Sequence, residues 1–408
     1  MANPKLKWET TVTRNLGLDF GFFNERLSGT IDAYWNTTKD LLLQSKIVAA
    51  GYEVQQQNIG QTSNRGIEFS LNGAILQKKN YSLSANFNIN FNRSKVDKLA
   101  DGITTQEYSA GWITSSDVID AYDYRVIVGE PVGLIYGYIT DGYYTTSDFA
   151  EYTNGSYIIK TDANGNPVAP TSSIGTGTLG VRPGVIKFKD ISGPDGKPDG
   201  KIDSYDATVI GKTTPKFTGG FGLTGTFYNF DCSIMFNWVY GNKVYNTNKL
   251  VTSQTYNTSS ADANLLSFMK QNNRYSYIDE NGKLLSTLEE LAQYNEGENA
   301  KAYWSPLSFA DRKVVVHSWA IEDGSYLRLQ NITLGYTFPQ KWTRKFACQQ
   351  LRVYGTLNNV WCWTNYSGYD PEVSTSGRSN TNSGLTPGVD FSSYPKSFSW
   401  TMGVNVTF

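Results

Sequence analysis

Apolar and polar residues alternate strictly over much of this chain. In 81–92 the odd positions are Tyr81, Leu83, Ala85, Phe87, Ile89 and Phe91. The even positions are Ser82, Ser84, Asn86, Asn88, Asn90 and Asn92. The end of the chain behaves alike: Phe398, Trp400, Met402, Val404, Val406 and Phe408 alternate with Ser399, Thr401, Gly403, Asn405 and Thr407. A period of two puts every apolar side chain on one face of a strand, so these segments predict strands with one face in an apolar medium. Shorter runs repeat the pattern at Leu16, Leu18, Phe20 and Phe22; at Ile67, Phe69 and Leu71; at Ile234, Phe236 and Trp238; and at Ile332, Leu334 and Tyr336.

The connectors alternate in length. Short ones fall near 24–26, 77–80, 129–131, 229–230 and 339–349, and long ones run roughly over 37–57, 97–118, 144–215, 243–322 and 365–395. Soluble sandwiches rarely do this, whereas outer-membrane barrels have short periplasmic turns and long extracellular loops. The expected fold is all-β: a transmembrane antiparallel β-barrel occupying 1–408, with extracellular loop insertions at about 144–215 and 243–322. The pattern yields about eleven strands. With the C-terminus on the periplasmic side, the first strand runs downward and the chain starts in an extracellular loop. An odd count starting outside suits half of a barrel of about 22 strands. Helix-like spacing over 261–271 and 284–294, with Leu284, Leu285, Leu288 and Leu291, predicts a small loop subdomain or a docking surface.

Composition agrees. Charged residues make up 18% of the 408, below the roughly 25% of soluble domains. Aromatic residues make up 14% while mean hydropathy is only -0.40. Half-wet strands with aromatic girdles produce that combination. No apolar run reaches the length of about 18 residues that a transmembrane helix needs. Residues 1–8 show no charged segment followed by an apolar one, so no signal peptide is read there and the start of the protein is expected elsewhere. A formal net charge of -1 gives no support for nucleic-acid binding. Cys232, Cys348 and Cys362 form no framework and read as small hydrophobes.

No catalytic constellation stands out, and the chain reads as non-enzymatic. His317 lies near Asp311 and Arg312 in sequence and is expected on a loop or strand-edge surface. The acidic stretch 190–206 resembles a calcium loop in which a glycine permits a sharp turn and oxygens converge. Read with an insertion, Asp190, Ser192, Asp199, Asp203 and Asp206 would supply oxygens to Ca2+ or Mg2+, the alternative being a solvated Asp-Gly turn cluster. Trp361, Trp363, Tyr366, Tyr369 and Asp370 place aromatic faces beside a carboxylate, which suits sugar stacking and equally an interfacial girdle or loop core. Tyr143-Tyr144 and Tyr303-Trp304 are weaker versions.

Several stretches, in order along the chain, resemble the SusC family of TonB-dependent transporters of Bacteroidetes. They are NPKLKWETT at 3–11 and the GLDFGFFNERLSGTIDAYWNTTKDLLL that follows, NIGQTSNRGIEFSLNG at 58–73, DGSYLRLQNITLGYTFP at 323–339, LRVYGTLNNVWCWTNYSGYDPEVS at 351–374 and YPKSFSWTMGVNVTF at the end. The resemblance implies outer-membrane import of large nutrients, glycan or peptide, through a barrel of about 22 strands around an N-terminal plug. It also implies energy drawn from TonB through that plug, a SusD-like lipoprotein as lid, and pairing with the N-terminal half of the same transporter. A scaffold role in an envelope assembly is the alternative. The stretches carry no plug and no TonB-contacting box, so energy coupling maps onto none of these residues.

Overall fold

The computed structural model describes residues 3, 4, 6–49, 52–100, 102–112, 122–254, 264–308, 314–375 and 384–408. Among them, nine strands form one antiparallel sheet in chain order. They are β1 (Thr10–Phe22), β2 (Leu27–Ala49), β3 (Tyr52–Lys78), β4 (Tyr81–Lys98), β5 (Phe217–Phe227), β6 (Phe230–Tyr240), β7 (Tyr326–Thr337), β8 (Gln350–Thr364) and β9 (Ser399–Thr407).

Register makes the two faces explicit, because residues directly opposite on neighbouring strands share a face. Leu18 opposes Ile31, and the row continues through Phe69, Ile89, Gly219, Trp238 and Leu327 to Trp363. One residue along, the row reads Asp19, Thr30, Ser70, Asn88, Gly220, Asn237, Arg328 and Cys362. Phe22, Leu27, Gly73, Ala85, Leu223, Ile234, Ile332, Leu357 and Trp400 cross all nine strands on the apolar side. That apolar face is bare: Leu18 is 61% exposed and Trp400 65%. A continuous exposed apolar band is intolerable in water and is what a bilayer covers. Among the described residues, β1 and β9 each have a single strand neighbour. Those open edges carry unpaired backbone groups that lipid does not satisfy.

Several strands exceed the roughly 9–11 residues that cross a bilayer. β2 has 23 residues and β3 has 27. The predicted loop at 37–57 is therefore corrected: most of it continues these two strands, paired from Leu27↔Gly73 to Ala49↔Tyr52. Among the described residues the large sheet has nine strands where about eleven were expected. The two segments expected between 119 and 143 leave the large sheet. They contribute Tyr124–Ile127 and Leu134–Gly137 to a separate four-stranded sheet with Thr105–Tyr108 and Thr208–Lys212. Strands of four residues are too short to span, and Tyr124, Val126, Leu134 and Ile135 are buried in protein rather than turned to lipid.

The described parts of the connectors 99–216, 241–325 and 365–398 fold together at one end of the sheet. Ala110, Trp112, Tyr124 and Ile135 from the first pack with Tyr245, Leu250 and Val316 from the second and Val389 from the third. Backbone pairing locks them as well. Lys243–Asn246 lies antiparallel to Ile321–Asp323 and parallel to Val389–Asp390. Asn154 and Gly155, both at positive φ, supply the two-residue turn joining Phe149–Thr153 to Ser156–Ile159. The expected helix over 284–294 is present as Leu288–Asn295, started by Thr287, which accepts the Glu290 N–H while the Glu290 carboxylate caps back. The one over 261–271 is corrected: its described part holds a single turn, Ser267–Met269, and 261–263 lie outside the described residues.

Candidate functional site

The aromatic segment 361–370 divides. Trp361 and Trp363 oppose Leu329 and Leu327 on β7, which puts them on the exposed apolar face of the sheet. They belong to the outward girdle, not to a cavity inside the barrel. Past the strand end the chain turns to the other face. There Asp370 is buried and accepts from the buried Arg328 guanidinium at 2.6 Å. Glu372 joins this pair at 3.8 Å and holds Lys396 at 2.5 Å. Tyr366 is buried with its hydroxyl donating to Asp390 Oδ2 at 2.5 Å, and burial followed by that carboxylate drives its pKa upward. Both residues are spent holding 365–372 against the sheet and the loop body. Only Tyr369, 87% exposed, remains open for contact.

The neighbouring contacts extend the same scaffold. Ser367 donates its N–H and hydroxyl to Glu322 at 2.9 and 2.8 Å. Glu322 also accepts from Asn246 at 2.9 Å and pairs with Lys249 at 3.4 Å. Lys249 lies 4.0 Å over the Trp319 ring, beneath which His317 stacks at an interplanar angle of 18°. His317 is therefore a correction to the surface reading. It is 2% exposed, packed by Trp304, Trp319 and Phe188, with Nδ1 at 2.9 Å from the Thr140 hydroxyl. Burial, with Lys249 adding, lowers its pKa to about 3 and keeps the imidazole neutral. Asp311 and Arg312 lie outside the described residues. Tyr144 and Trp304 are core side chains too.

In the acidic loop the carboxylates turn to backbone rather than to one another. Buried Asp206 accepts the N–H groups of Ile191, Ser192 and Asp203 at 2.7, 3.1 and 2.9 Å. Asp190 accepts from Asp199 and Gly200 at 3.3 and 2.6 Å. Asp199 and Asp203 each accept the N–H two residues on, at 3.0 and 2.8 Å. The Ser192 hydroxyl donates weakly to the Gly193 carbonyl at 3.5 Å. Among the described residues no three His, Cys, Asp or Glu side chains group as a metal would need. The donor set does not fit Ca2+ or Mg2+: these oxygens cap turns. The three cysteines are free.

Sequence reasoning also missed the buried acid Asp123. It accepts from the Ala110 N–H and the Trp112 indole N–H, each at 2.8 Å, and burial raises its pKa to about 6. Nothing in a lone Asp before Tyr124 signals this, because its partners stand 13 and 11 residues away.

The arrangement is a lipid-facing wall with a polar inner face and a folded crown of loops. Such a wall, with some strands long enough to overrun the bilayer, is the class of structure that outer-membrane β-barrels present. The family model for a TonB dependent receptor-like β-barrel matches residues 1–169. The chain is similar to the SusC/RagA-like members of that family. It is 29% identical to TonB-dependent receptor P3 of Formosa agariphila and 28% identical to TonB-dependent receptor SusC of Bacteroides thetaiotaomicron, covering 100% of this chain in both cases. It spans 35% and 32% of those proteins, so about a third of their length. Among solved structures, that of the RagAB peptide transporter superposes with a TM-score of 0.68 at 22% identity, over 100% of this chain and 36% of that one. At that identity the likeness speaks to fold.

Proposed function

We propose that this chain is a wall of an importer that carries large nutrients, glycan or peptide, across the outer membrane beneath a SusD-like surface lipoprotein. TonB would drive it through a plug in another part of the protein, and the two open sheet edges would pair with the remaining strands. The observation that carries this reading is the loop body. Three connectors far longer than ordinary loops share buried cores and interstrand pairing, an expense of sequence that a mere turn does not require. The loop insertions at 144–215 and 243–322 would face the cell exterior and receive the lipoprotein, and Tyr369 would contact cargo.

A candidate contact for the lipoprotein is the paired Ile278 and Leu284, two exposed apolar side chains on one turn of the loop body. In the full-length transporter, Ile278→Lys with Leu284→Lys should weaken co-purification of the lipoprotein while barrel assembly stays normal. Full lipoprotein yield would remove this surface from the docking site. Import of oligosaccharides and of peptides, measured separately, would distinguish the cargo classes, and normal nutrient uptake in a strain lacking the transporter would favour the scaffold role.

A further inference from the structure

On the outward face, at the loop-bearing end, lies a trough of about 730 Å³. Its floor is Leu327 of β7, with Ser325, just before that strand, at the rim. Trp238 and Tyr240 of β6 stand on one side, and Trp361 and Trp363 of β8 on the other. The β6 wall is braced from outside: Trp238 packs on Phe87 at 5.5 Å and Tyr240 stacks on Phe217 at 4.9 Å. The Trp363 ring reaches across β7 to lie 6.5 Å from Phe236 of β6. On the opposite face Arg328 is buried under Asp370.

We infer that this trough binds one acyl chain of a membrane lipid as a fixed site, distinct from the general lipid shell. Its rows are continuous with the apolar band: Leu327 and Trp363 end the row that begins at Leu18 and Ile31. Whatever fills it comes from the bilayer. The polar groups of Ser325 and Thr364 are already engaged within the protein. The Ser325 hydroxyl donates to Asp323 at 2.7 Å and accepts the Gly241 N–H at 2.9 Å. Thr364 donates to the Ser325 carbonyl at 2.8 Å. An acyl chain needs no polar partner, and the lining is dominated by Trp238, Tyr240, Leu327, Trp361 and Trp363. Left empty, the rings would lose dispersion contacts on one side. A flexible, narrow chain between two aromatic walls restores them.

The test uses the full-length transporter in nanodiscs of palmitoyl-oleoyl phosphatidylethanolamine carrying a fraction of the same lipid with a diazirine on its acyl chain. Photolabelling should concentrate several-fold on peptides containing 325–327 and 361–363 relative to those containing 16–22, which lie on the same face without a trough. Native mass spectrometry after mild detergent exchange should show one retained lipid, lost in Leu327→Trp, which fills the floor. Where that variant fails to assemble, Ser325→Phe fills the rim instead. Uniform labelling along the outward band overturns the proposal, as does lipid retention unchanged by both fillings. A protein partner cross-linked to Trp361 or Trp363 in place of lipid also overturns it.

Discussion

Arg352 on β8 reaches past Gly335 on β7 to clasp Asp231 on β6, Nε to Oδ1 at 2.9 Å and Nη2 to Oδ2 at 2.5 Å. Gly335 stands opposite Asp231 in the ladder, and a Cβ there would sit 2.5 Å from both the guanidinium and the carboxylate. The glycine is the gap through which a two-point ion pair ties three strands together on the polar face. Paired forks of this kind hold geometry better than single contacts.

Gly335→Ala should therefore unseat the pair. Both partners are partly exposed, so the loss should be modest, about 1 kcal/mol. Urea unfolding of the assembled barrel in a bilayer would measure it. If the glycine acts through the pair, Gly335→Ala and Arg352→Ala together should cost less than the sum of each alone. Strict additivity would refute the link.

The alternation that predicts the barrel strands survives in the structure residue by residue, because one side of each strand meets lipid and the other does not. Legibility stops where that asymmetry ends. Tyr124–Ile127 and Leu134–Gly137 look like barrel strands in sequence, yet both faces are taken up by protein. Trp361 and Tyr366 lie five residues apart and end on opposite sides of the wall, since the strand stops at Thr364 and the chain turns. Asp206 shows the same limit: its partners are backbone amides, which every sequence possesses and none displays. The ion pair across Gly335 needs the register of three strands, and no single segment carries that.

Acidification should act on the loop body through two buried groups of opposite sign. Unfolded, His317 titrates near 6.5 but folded near 3, so as pH falls from 6.5 the unfolded chain takes up a proton that the folded one refuses, and stability drops. Asp123 moves from 3.8 unfolded to about 6 folded, so between those values acid favours the folded state. The histidine displacement is worth on the order of 5 kcal/mol and the aspartate's on the order of 3. They largely offset between pH 6 and 4, and the net loss emerges below pH 4. Asp123→Asn should remove the offset, so that protease resistance of the loops declines steadily from pH 6.5. In ¹⁵N-histidine NMR, with the signal assigned through His317→Gln, the imidazole should stay neutral down to pH 4. A midpoint near 6 would show that the ring is not buried as described.

The loop at 190–206 should hold its shape without metal. Chelation of divalent cations should leave hydrogen exchange at the Ile191, Ser192 and Asp203 amides unchanged, since Asp206 already caps all three. Asp206→Ala strands those donors in a buried setting and should cost about 2–3 kcal/mol locally, accelerating their exchange. Protection that collapses on chelation in the unaltered protein would reinstate a cation as the organiser of the loop.

The sharpest test of the wall is a pair of adjacent residues on β6. Ile234 lies on the outward row that crosses all nine strands, between Leu223 and Ile332. Ser233, one residue before it, lies on the inward row between Thr224 and Thr333. The same substitution at each should have very different consequences, because only one side chain enters hydrocarbon. Ile234→Lys should destabilise the barrel by about 2–4 kcal/mol if it sits near the bilayer midplane. Ser233→Lys should cost well under half of that, its ammonium remaining among polar neighbours. Reversible unfolding of both variants into and out of lipid vesicles reads the difference directly. Equal penalties, or a larger one at Ser233, would mean that the faces are assigned the wrong way round, and the acyl-chain trough would fall with them.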